Sequence, residues 1–559
     1  MSDPENQAKS GKGPVGVKGL ALAGEGGDTS VIYRHAFTVT GFTLLSRVLG
    51  MARDLVIAHR FGATGVTDAW VQAFRIPNAL RRLTGEGSLT IAFVPLYVRL
   101  ATEQGRPAAA LFARRVLGLV LLFTLALAVL GMVFNEPLTA LFSPGFRSDP
   151  EKFALAARLL AWTFPYLVLI SVVAWAMGVL NSEGRFAAPA AAPALLNGAI
   201  IVAVVGFAGA FEVPVLSIAA GVLAGGLAQV LLQAPFLRSV GVPLLPRFEW
   251  NDPFVKRLFA LLLPSLFGLA VYELNILVLG IIASYLPSGQ IFHYNNATRL
   301  QELVMGLFTF AFTTAGLPTL SEHLAREDWP RVRETLRLTF SATLYIVFPA
   351  MVGLVVAGRG IVSMLYLHGA FSAADVESTA SVLEVLALAM PAIAGVRVMV
   401  PVYYALGDAR TPVIVSALTL VITGSLGWYL SQTYLVWGLA AGLTLGTWFQ
   451  CGMLGGFLIP RARALAPWFP WPAALRQIAA ALPMGLGVYW LHGMGQWQAS
   501  SGSILNWMIL IALVVGGAGA YLLLTLALGE PEAGNWVALA RRAIVRIKPG
   551  AAGGSSSRS

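Results

Sequence analysis

Long apolar runs separated by short polar stretches make up most of the chain. Runs such as residues 116–134 and 509–528 reach the roughly 20 apolar residues that an α-helix needs to cross the hydrocarbon of a bilayer. Apolar windows along the chain predict about fourteen transmembrane helices and an all-α polytopic membrane protein. The predicted helices lie near 36–60, 68–99, 112–134, 153–180, 190–210, 214–236, 257–285, 290–321, 334–356, 376–406, 412–431, 434–458, 474–493 and 504–528.

Basic residues are unevenly divided between the loops that join these helices. Loops after the even-numbered helices hold most of them, including Arg106, Arg185 and Arg247, whereas loops after the odd-numbered helices hold few. Because positive loops stay on the cytoplasmic side, both termini are predicted to be cytoplasmic. We expect residues 1–30 to form a disordered cytoplasmic tail and residues 531–559 a cytoplasmic C-terminal tail.

Composition supports a membrane protein and limits the alternatives. Of the 559 residues 57% are hydrophobic and 12% are charged, and the mean hydropathy is +0.74. Soluble domains carry roughly twice that charged fraction. The net charge of +11 would suggest nucleic acid in a soluble protein, but membrane topology explains these loop residues better, so no nucleic-acid partner is expected. The single cysteine, Cys451, excludes an intrachain disulfide.

Three segments of the first half recur in the second half at nearly constant spacing. Arg75 and Arg299 lie 224 positions apart in the segments AFRIPN and ATRLQE, and Pro165 and Pro391 lie 226 apart. The offset spans six predicted helices, so the copies share one orientation and form a parallel repeat. We therefore predict two six-helix lobes around a central cavity, an N-lobe at 31–240 and a C-lobe at 251–460. Two further helices at 470–530 fall outside the repeat.

The second predicted helix carries charges where a bilayer-spanning helix should be apolar. Arg81 and Arg82 fall near its middle, where an arginine costs about 2.5–3.5 kcal/mol on the insertion scale. At 100° per residue, Arg75, Asn78, Arg82 and Glu86 share one face. That face is predicted to line a water-filled cavity rather than to meet lipid.

Other helices add inward-facing charges in related positions. The repeat partner carries Asn295, Arg299, Glu302 and Gly306 at helical spacing, and the tenth helix carries Arg397. The first helix carries Arg47, Gly50 and Asp54 on one side, with Arg53 turned away by about a third of a circle. One explanation is that these charges pair with one another and only fasten helices together. Arginines outnumber the nearby acids, however, and guanidinium groups match phosphate oxygens with two parallel hydrogen bonds. A phosphate-bearing substrate is therefore predicted.

Motifs that would indicate catalysis or cofactor binding are weak. The six histidines are scattered without metal-ligand spacing, so no metal site is predicted. GEGS at 85–88 lacks the preceding strand and the lysine of a phosphate-binding loop. Two rival classes remain: a cation-coupled drug exporter, which would need a more acidic or aromatic chamber, and a membrane glycosyltransferase, which would need acids in a large extramembrane loop.

The segment SRVLGMARDLVIAHRFGATGVTDAWVQAFRIPNALRRLTGEGSLTIAFVPLY (46–97) closely resembles the start of the MurJ (MviN) lipid II flippases of the multidrug/oligosaccharidyl-lipid/polysaccharide exporter superfamily. Similarity continues through 180–197, 294–302 and 400–412. The resemblance implies fourteen helices, of which the last two form a groove for a polyprenyl tail. It also implies transfer of lipid II, the undecaprenyl-pyrophosphate-linked disaccharide pentapeptide, from the cytoplasmic to the periplasmic leaflet of the bacterial inner membrane.

The resemblance also assigns residues and partners. No enzymatic activity and no cofactor are expected. Transport for peptidoglycan synthesis would be driven by a coupling cation or by the membrane potential. Cell-wall synthesis proteins are expected as partners. Departures from the family pattern at Thr298, Val304 and Met305 affect the expected cation coupling and gating. The family's substrate-binding positions fall on Arg47, Arg53, Arg299, Asn78, Arg81 and Arg82, and its gating or ion-pairing positions on Asp54, Asp68, Glu86, Glu302 and Arg397. Glu86 and Arg397 are predicted to pair as a cytoplasmic gate.

Overall fold

A chain that crosses a bilayer must satisfy its backbone N–H and C=O groups internally, and an α-helix does this within one segment. The computed structural model describes residues 29–82, 88–249, 251–461, 468–497 and 503–547. Within these ranges every regular element is a helix, which confirms the predicted all-α class. Predicted features at residues 1–28 and at Glu86 lie outside the described residues.

The first half of the chain forms the N-lobe, a name we use for its helices α1 to α9. Short 3₁₀ turns at Pro144–Ser148 and Ala208–Ala210 join some of them. The helices are α1 (Thr29–Phe61), α2 (Gly65–Arg81), α3 (Ser88–Glu103), α4 (Arg106–Val133), α5 (Asn135–Phe142), α6 (Pro150–Thr163), α7 (Tyr166–Ser182), α8 (Ala187–Phe207) and α9 (Leu216–Ser239).

The second half forms the C-lobe, α10 to α15, followed by three further helices. The C-lobe helices are α10 (Pro253–Ala283), α11 (Gln290–Ala325), α12 (Trp329–Tyr366), α13 (Ala373–Ala387), α14 (Met390–Ala405) and α15 (Arg410–Arg461). After them come α16 (Trp471–His492), α17 (Ile504–Ala527) and α18 (Pro531–Ile547). The C-terminal segment predicted only as a tail therefore begins with a helix.

Two predicted helices are each broken into two at matching places in the repeat. The helix predicted at 153–180 is divided into α6 and α7, and Pro165 is the N-cap of α7. The helix predicted at 376–406 is divided into α13 and α14, which meet at 42°, with Pro391 in the first turn of α14. Proline removes a backbone donor and crowds the preceding turn, so each break follows from the same residue type. The shared break supports the predicted repeat.

Other predicted helices differ from the structure in smaller ways. The helix predicted at 68–99 corresponds to α2 and α3, and the residues between them lie outside the described part of the chain. α2 continues through Pro77. The two helices predicted at 412–431 and 434–458 form α15, which is interrupted where Leu435 has φ 51° and ψ −133°.

Several helices are long and apolar enough to cross a membrane. Within the described ranges there are seven, or eight if the bent pair α13–α14 is one span. They include α4, α8, α9, α12, α15 and α17, together with the run from α6 through α7. The total of fourteen spans stays a prediction.

Four interhelical loops meet at one end of the molecule, which we call the closed end and define by residues 59–68, 143–149, 284–292 and 367–373. The Ala370 N–H donates to His59 O at 2.9 Å, and the Gly145 N–H donates to Ser284 Oγ at 3.0 Å. Both contacts join the two lobes, and their partners are related by the repeat. All four loops follow odd-numbered predicted helices, so their meeting agrees with the predicted topology.

Candidate substrate site

The first helix holds a buried polar cluster centred on Arg53. Its Nη2 lies 2.6 Å from Asp54 Oδ1, and its Nη1 donates to Asn197 Oδ1 of α8 at 3.1 Å. Asn197 in turn donates to the Ser46 carbonyl at 3.1 Å. Asn197 packs against α1 at Gly50, where a Cβ would make an ordinary van der Waals contact with its Nδ2 at 3.4 Å. Arg53 is therefore held in place by partners on two helices.

Arg299 approaches this cluster from the other lobe. Its Nε lies 3.9 Å from Asp54 Oδ2, and its Nη1 lies 3.4 Å from Glu302 Oε2. The side chains of Arg299 and Glu302 are 44% and 53% exposed although they belong to the first half of a long helix. We call this contact region, with Arg47, Asp54, Arg299 and Gly306, the α1–α11 seam.

Arg47 reaches the same seam about two helical turns from Asp54. A Cβ at position 306 would overlap the Arg47 guanidinium, so only glycine permits this approach. Among the described residues no carboxylate lies within ion-pair distance of Arg47. Its charge is therefore available to an anion placed between the lobes.

A second contact region between the lobes, the α2–α10 seam, comprises Gln72, Arg75, Arg82, Glu273 and Gly280. Arg82 Nε lies 2.8 Å from Glu273 Oε1, and the glutamate side chain is only 5% exposed. Gln72 Nε2 donates to the Gly280 carbonyl at 2.8 Å. A Cβ at Gly280 would overlap Arg75 Nη1. The predicted inward face of α2 is thus turned largely toward α10.

The remaining predicted site residues take separate positions. Arg81 Nε donates to Asn78 Oδ1 at 3.0 Å, one turn away on α2. Arg397 is exposed on α14. Glu86, its predicted gate partner, is outside the described residues.

Positive charge exceeds negative charge around the two seams. The arginines at the seams are Arg47, Arg53, Arg75, Arg82 and Arg299, and the carboxylates beside them in the described part of the chain are Asp54, Glu273 and Glu302. Ion pairing therefore fastens helices, as in the first explanation above, but among the described residues it leaves Arg47 and Arg75 without a carboxylate.

Asp68 lies at the closed end, away from this charge. Its Oδ2 accepts from Lys152 Nζ at 3.0 Å and from the Gly289 N–H at 2.8 Å, and its Oδ1 accepts from the Phe292 N–H at 2.9 Å. The carboxylate is fully buried. Since Gly289 and Phe292 open α11, Asp68 of the N-lobe caps a helix of the C-lobe.

An apolar groove of about 500 Å³ lies between α12, α16 and α17. Val304 of α11 lines one part of it, and Trp536 of α18 lines another. Val304 and Gly306 both belong to α11, so this helix borders both the groove and the α1–α11 seam, on roughly opposite faces. Other lining residues include Pro349, Gly353, Met484, Leu513, Gly517 and Tyr521.

A polar cluster fastens the helices of the groove near α18. Gln477 of α16 donates to Glu530 Oε1 at 3.0 Å, and Arg476 Nε lies 3.0 Å from Glu530 Oε2. Glu530 lies in the turn between α17 and α18, where burial raises the pKa of its carboxyl above the usual range. This turn places Trp536 beside the groove.

Sequence reasoning missed some residues that organise the site. Asn197, Gln72 and Lys152 are single polar residues in apolar or loop-adjacent segments, and no periodic pattern marks them. Glu273 is one of the acids near these arginines, but the sequence does not show which arginine it pairs with. A lone polar residue in a long apolar run is the signal that would have found Gln72 and Asn197, because burial of a polar group in a membrane requires a partner.

Comparison with known proteins gives one consistent result. The family model described as lipid II flippase MurJ matches residues 57–509. A probable lipid II flippase MurJ from Bdellovibrio bacteriovorus is 32% identical over 506 residues, covering 90% of this chain and 96% of the relative. The lipid II flippase MurJ of Burkholderia cenocepacia is 36% identical over 397 residues, covering 70% and 77% of the two chains.

Solved structures agree with this result. A lipid II flippase MurJ in an inward closed conformation superposes with a TM-score of 0.72 at 25% identity, covering 87% of this chain and 97% of that one. An inward-facing multidrug transporter of the MATE family has a TM-score of 0.63 at 15% identity, with 77% and 98% covered, and shows a shared fold only. With its paired lobes, cationic seams and apolar groove, the chain belongs to the MurJ family of lipid II flippases.

Proposed function

We propose that this protein is a lipid II flippase, which carries undecaprenyl-pyrophosphate-linked disaccharide pentapeptide from the cytoplasmic to the periplasmic leaflet by alternating access. The observation that carries the proposal is that one helix, α11, borders both the arginine-rich seam and the apolar groove. Arg47 packs against Gly306, and Val304, two residues earlier on α11, lines the groove. An amphiphile with an anionic head and a long apolar tail fits both parts at once.

The pyrophosphate binds to Arg47, Arg53 and Arg299 at the α1–α11 seam. Guanidinium groups bind phosphate oxygens in a bidentate manner, and Asp54 and Asn197 fix the position of Arg53 before substrate arrives. Of these three arginines, only Arg47 has no carboxylate within ion-pair distance among the described residues. Asn78, Arg81 and Arg82 contribute positive potential from α2 rather than direct contacts, because Arg82 is engaged by Glu273.

The polyprenyl tail lies in the groove between α12, α16 and α17. A tail that moves from the bilayer into the groove exchanges one apolar environment for another, because lipid chains are as apolar as the side chains that line it. The headgroup alone then needs to cross, while the tail stays among apolar side chains. The segment 470–530 is therefore assigned to tail binding, next to an N-lobe at 31–240 and a C-lobe at 251–460.

The protein is placed in the bacterial inner membrane with both termini in the cytoplasm, following the distribution of loop arginines. In this orientation the closed end faces the periplasm and Asp68 holds that side shut. Glu86 and Arg397 form the opposing cytoplasmic gate. Transport, rather than catalysis, is the activity, driven by a coupling cation or the membrane potential and working beside cell-wall synthesis proteins.

A drug exporter of the same fold is the competing class. It would bind cations, and the arginine excess around the seams opposes that. The MATE likeness extends to the fold alone.

The decisive experiment measures flipping of lipid II by purified protein in vesicles. Arg299→Ala removes charge-assisted contacts worth about 1.5–3 kcal/mol, so flipping should fall by roughly 10- to 100-fold. Arg99→Ala is the matched control, because Arg99 forms only an exposed pair with Glu103 at 2.7 Å, and its rate should stay unchanged. Normal flipping by Arg299→Ala would refute the proposed binding site.

A further inference from the structure

The last described helix, α18, has one face against the protein and one face open. Its buried or half-buried positions interchange with exposed ones at helical spacing, residues 532, 533, 536 and 537 against residues 534, 535, 538 and 541. The helix contacts α12 and α17. It is therefore amphipathic in the structure as well as in sequence.

The turn before α18 fixes the direction in which the helix leaves α17. Gly529 has φ +66°, and its carbonyl accepts from Arg476 Nη1 of α16 at 3.0 Å. Arg476 Nε also lies 3.0 Å from Glu530 Oε2, and the Glu530 side chain is fully buried. Gln477 donates to the other carboxylate oxygen at 3.0 Å. Two helix ends are thus joined by a rigid polar turn.

This turn folds α18 back to the level of the bilayer-spanning helices. Trp536 lines the same apolar groove as Tyr345 and Tyr521. Tyr521 precedes the end of α17 at Ala527 by about 9 Å of helix at 1.5 Å per residue. α18 therefore lies beside α17 instead of extending away from it, and a tryptophan in this position is typical of the boundary between membrane and water.

The open face carries the positive charge of the helix. α18 contains three arginines, Arg541, Arg542 and Arg546, and one acid, Glu532, which is only 7% exposed. Arg541 is exposed, and positions 542 and 546 follow Ala538 at i+4 and i+8. We call positions 538, 541, 542 and 546 the basic face of α18.

A basic face on a helix at the membrane boundary fits anionic lipid headgroups. Amphipathic helices with basic polar faces lie in the plane of the interface, and each Lys or Arg near an anionic surface strengthens binding roughly fivefold. In the orientation proposed above, α18 meets the cytoplasmic leaflet, whose surface is negatively charged. Trp536 keeps the helix at the level of these headgroups, which favours lipid over an acidic protein as the partner.

We infer that α18 is a binding surface for anionic phospholipids of the surrounding bilayer. Its basic face binds their headgroups, and this contact holds the helix, with Trp536, beside the apolar groove. The inference concerns bulk phospholipid and not lipid II, so it can fail or succeed independently of flipping.

Hydrogen–deuterium exchange of the full chain in nanodiscs tests the inference. Amides of residues 538–547 should exchange slower by about tenfold or more with roughly 30 mol% phosphatidylglycerol than in phosphatidylcholine alone, because three basic residues meet a charged surface. The difference should largely disappear in about 0.5 M NaCl, which screens this attraction. Equal exchange in the two lipids would overturn the inference.

Charge removal on the basic face should abolish the lipid dependence. Arg541→Gln, Arg542→Gln and Arg546→Gln together should exchange equally in both lipids, while α17 keeps its slow exchange as a sign of correct folding. A lipid-dependent difference that survives in this variant would show that the basic face is not responsible.

A matched variant removes the same charge elsewhere. Arg99, Arg326 and Arg331 are exposed and each pairs with an acid three or four positions away. Their combined replacement by glutamine should leave the lipid dependence of α18 unchanged. If it disappears here too, overall charge and not α18 attracts the lipid, and the inference fails.

A charge-preserving variant separates lost binding from a lost helix. Lysine keeps the charge and forms helices about as well as arginine and glutamine. Arg541→Lys, Arg542→Lys and Arg546→Lys together should therefore retain most of the lipid-dependent difference. Loss as complete as in the glutamine variant would mean that surface charge is not what α18 recognises.

Discussion

Glycines at the closed end permit contacts that any side chain would prevent. Gly369 has φ +63°, and a Cβ there would overlap the His59 carbonyl. The neighbouring Ala370 N–H donates to that same carbonyl. Loop 367–373 can therefore reach α1 only because residue 369 lacks a side chain.

Substitution of this glycine should weaken the closed end. Gly369→Ala adds a steric overlap to the left-handed strain of about 1–2 kcal/mol that alanine suffers at positive φ. Gly407→Ala is the control, because Gly407 has φ +75° but nothing within 4 Å of its Cβ position. The melting temperature in detergent should fall more for Gly369→Ala than for Gly407→Ala. Equal losses would mean that the contact with His59 adds nothing to stability.

At the scale of single helices, the positions of helix breaks and of the apolar groove are more important for the proposed function than helix length. α6 and α7 are separated next to Pro165, α13 and α14 meet at 42° next to Pro391, and α12 packs against α16 and α17. That packing leaves the groove unfilled at Gly353, whose Cβ position has nothing within 4 Å. A small residue there keeps space for a ligand.

Filling the groove should reduce transport of long lipids. Gly353→Leu adds volume inside the groove without a clash, so flipping should fall severalfold, and more for a full-length polyprenyl tail than for a short-chain analogue. Gly516→Leu is matched, since Gly516 is an exposed residue of α17 with equal free space and does not line the groove. A vesicle assay with both lipids measures the ratio. The same loss for both tail lengths would count against tail binding.

Across the whole molecule the two lobes are joined unequally. The closed end has backbone contacts and the buried Asp68, the α2–α10 seam has an ion pair, and the α1–α11 seam holds Arg299, whose side chain is partly exposed. Alternating access requires the closed end to open. Such opening would break the two hydrogen bonds that Asp68 accepts from the Gly289 and Phe292 N–H groups of α11.

Neutralising Asp68 should therefore open that end. Asp68→Asn leaves Lys152 buried without its anion, and breaking a buried pair costs about 3–5 kcal/mol. With Cys451→Ala and Ala63→Cys, labelling from the periplasmic side should rise at least tenfold and flipping should fall.

Adding Lys152→Met to Asp68→Asn removes both charges and should restore much of the protection. Glu212→Gln disrupts only an exposed pair with Arg158 and should have no effect. Unchanged labelling in Asp68→Asn would show that other contacts hold the closed end.

Much of the architecture could be predicted from the sequence because bilayer solvation acts on each segment independently. Apolar runs identify α4, α8, α9 and α17, and Pro165 and Pro391 already suggested the repeat. The breaks at these prolines were not predicted, since a proline is tolerated within many membrane helices. The fourteen spans and the cytoplasmic termini stay predictions.

The candidate site was only partly predictable because charge partners are chosen in three dimensions. Helical spacing put Arg75 and Arg82 on one face of α2, and that face meets α10 at Gly280 and Glu273. Spacing within one helix says which residues share a face and not which helix that face meets. The roles of the individual arginines in binding stay predictions.

The sequence by itself determined that this is a helical membrane protein with a repeated body and an excess of internal arginine, because hydropathy, periodicity and charge are properties of each segment. Only the tertiary structure decided which arginines are neutralised, where the lobes touch, and where the apolar groove lies. Those features depend on contacts between residues far apart in the chain. Distances of a few ångströms between such residues decide whether a charge fastens helices or remains available to a substrate.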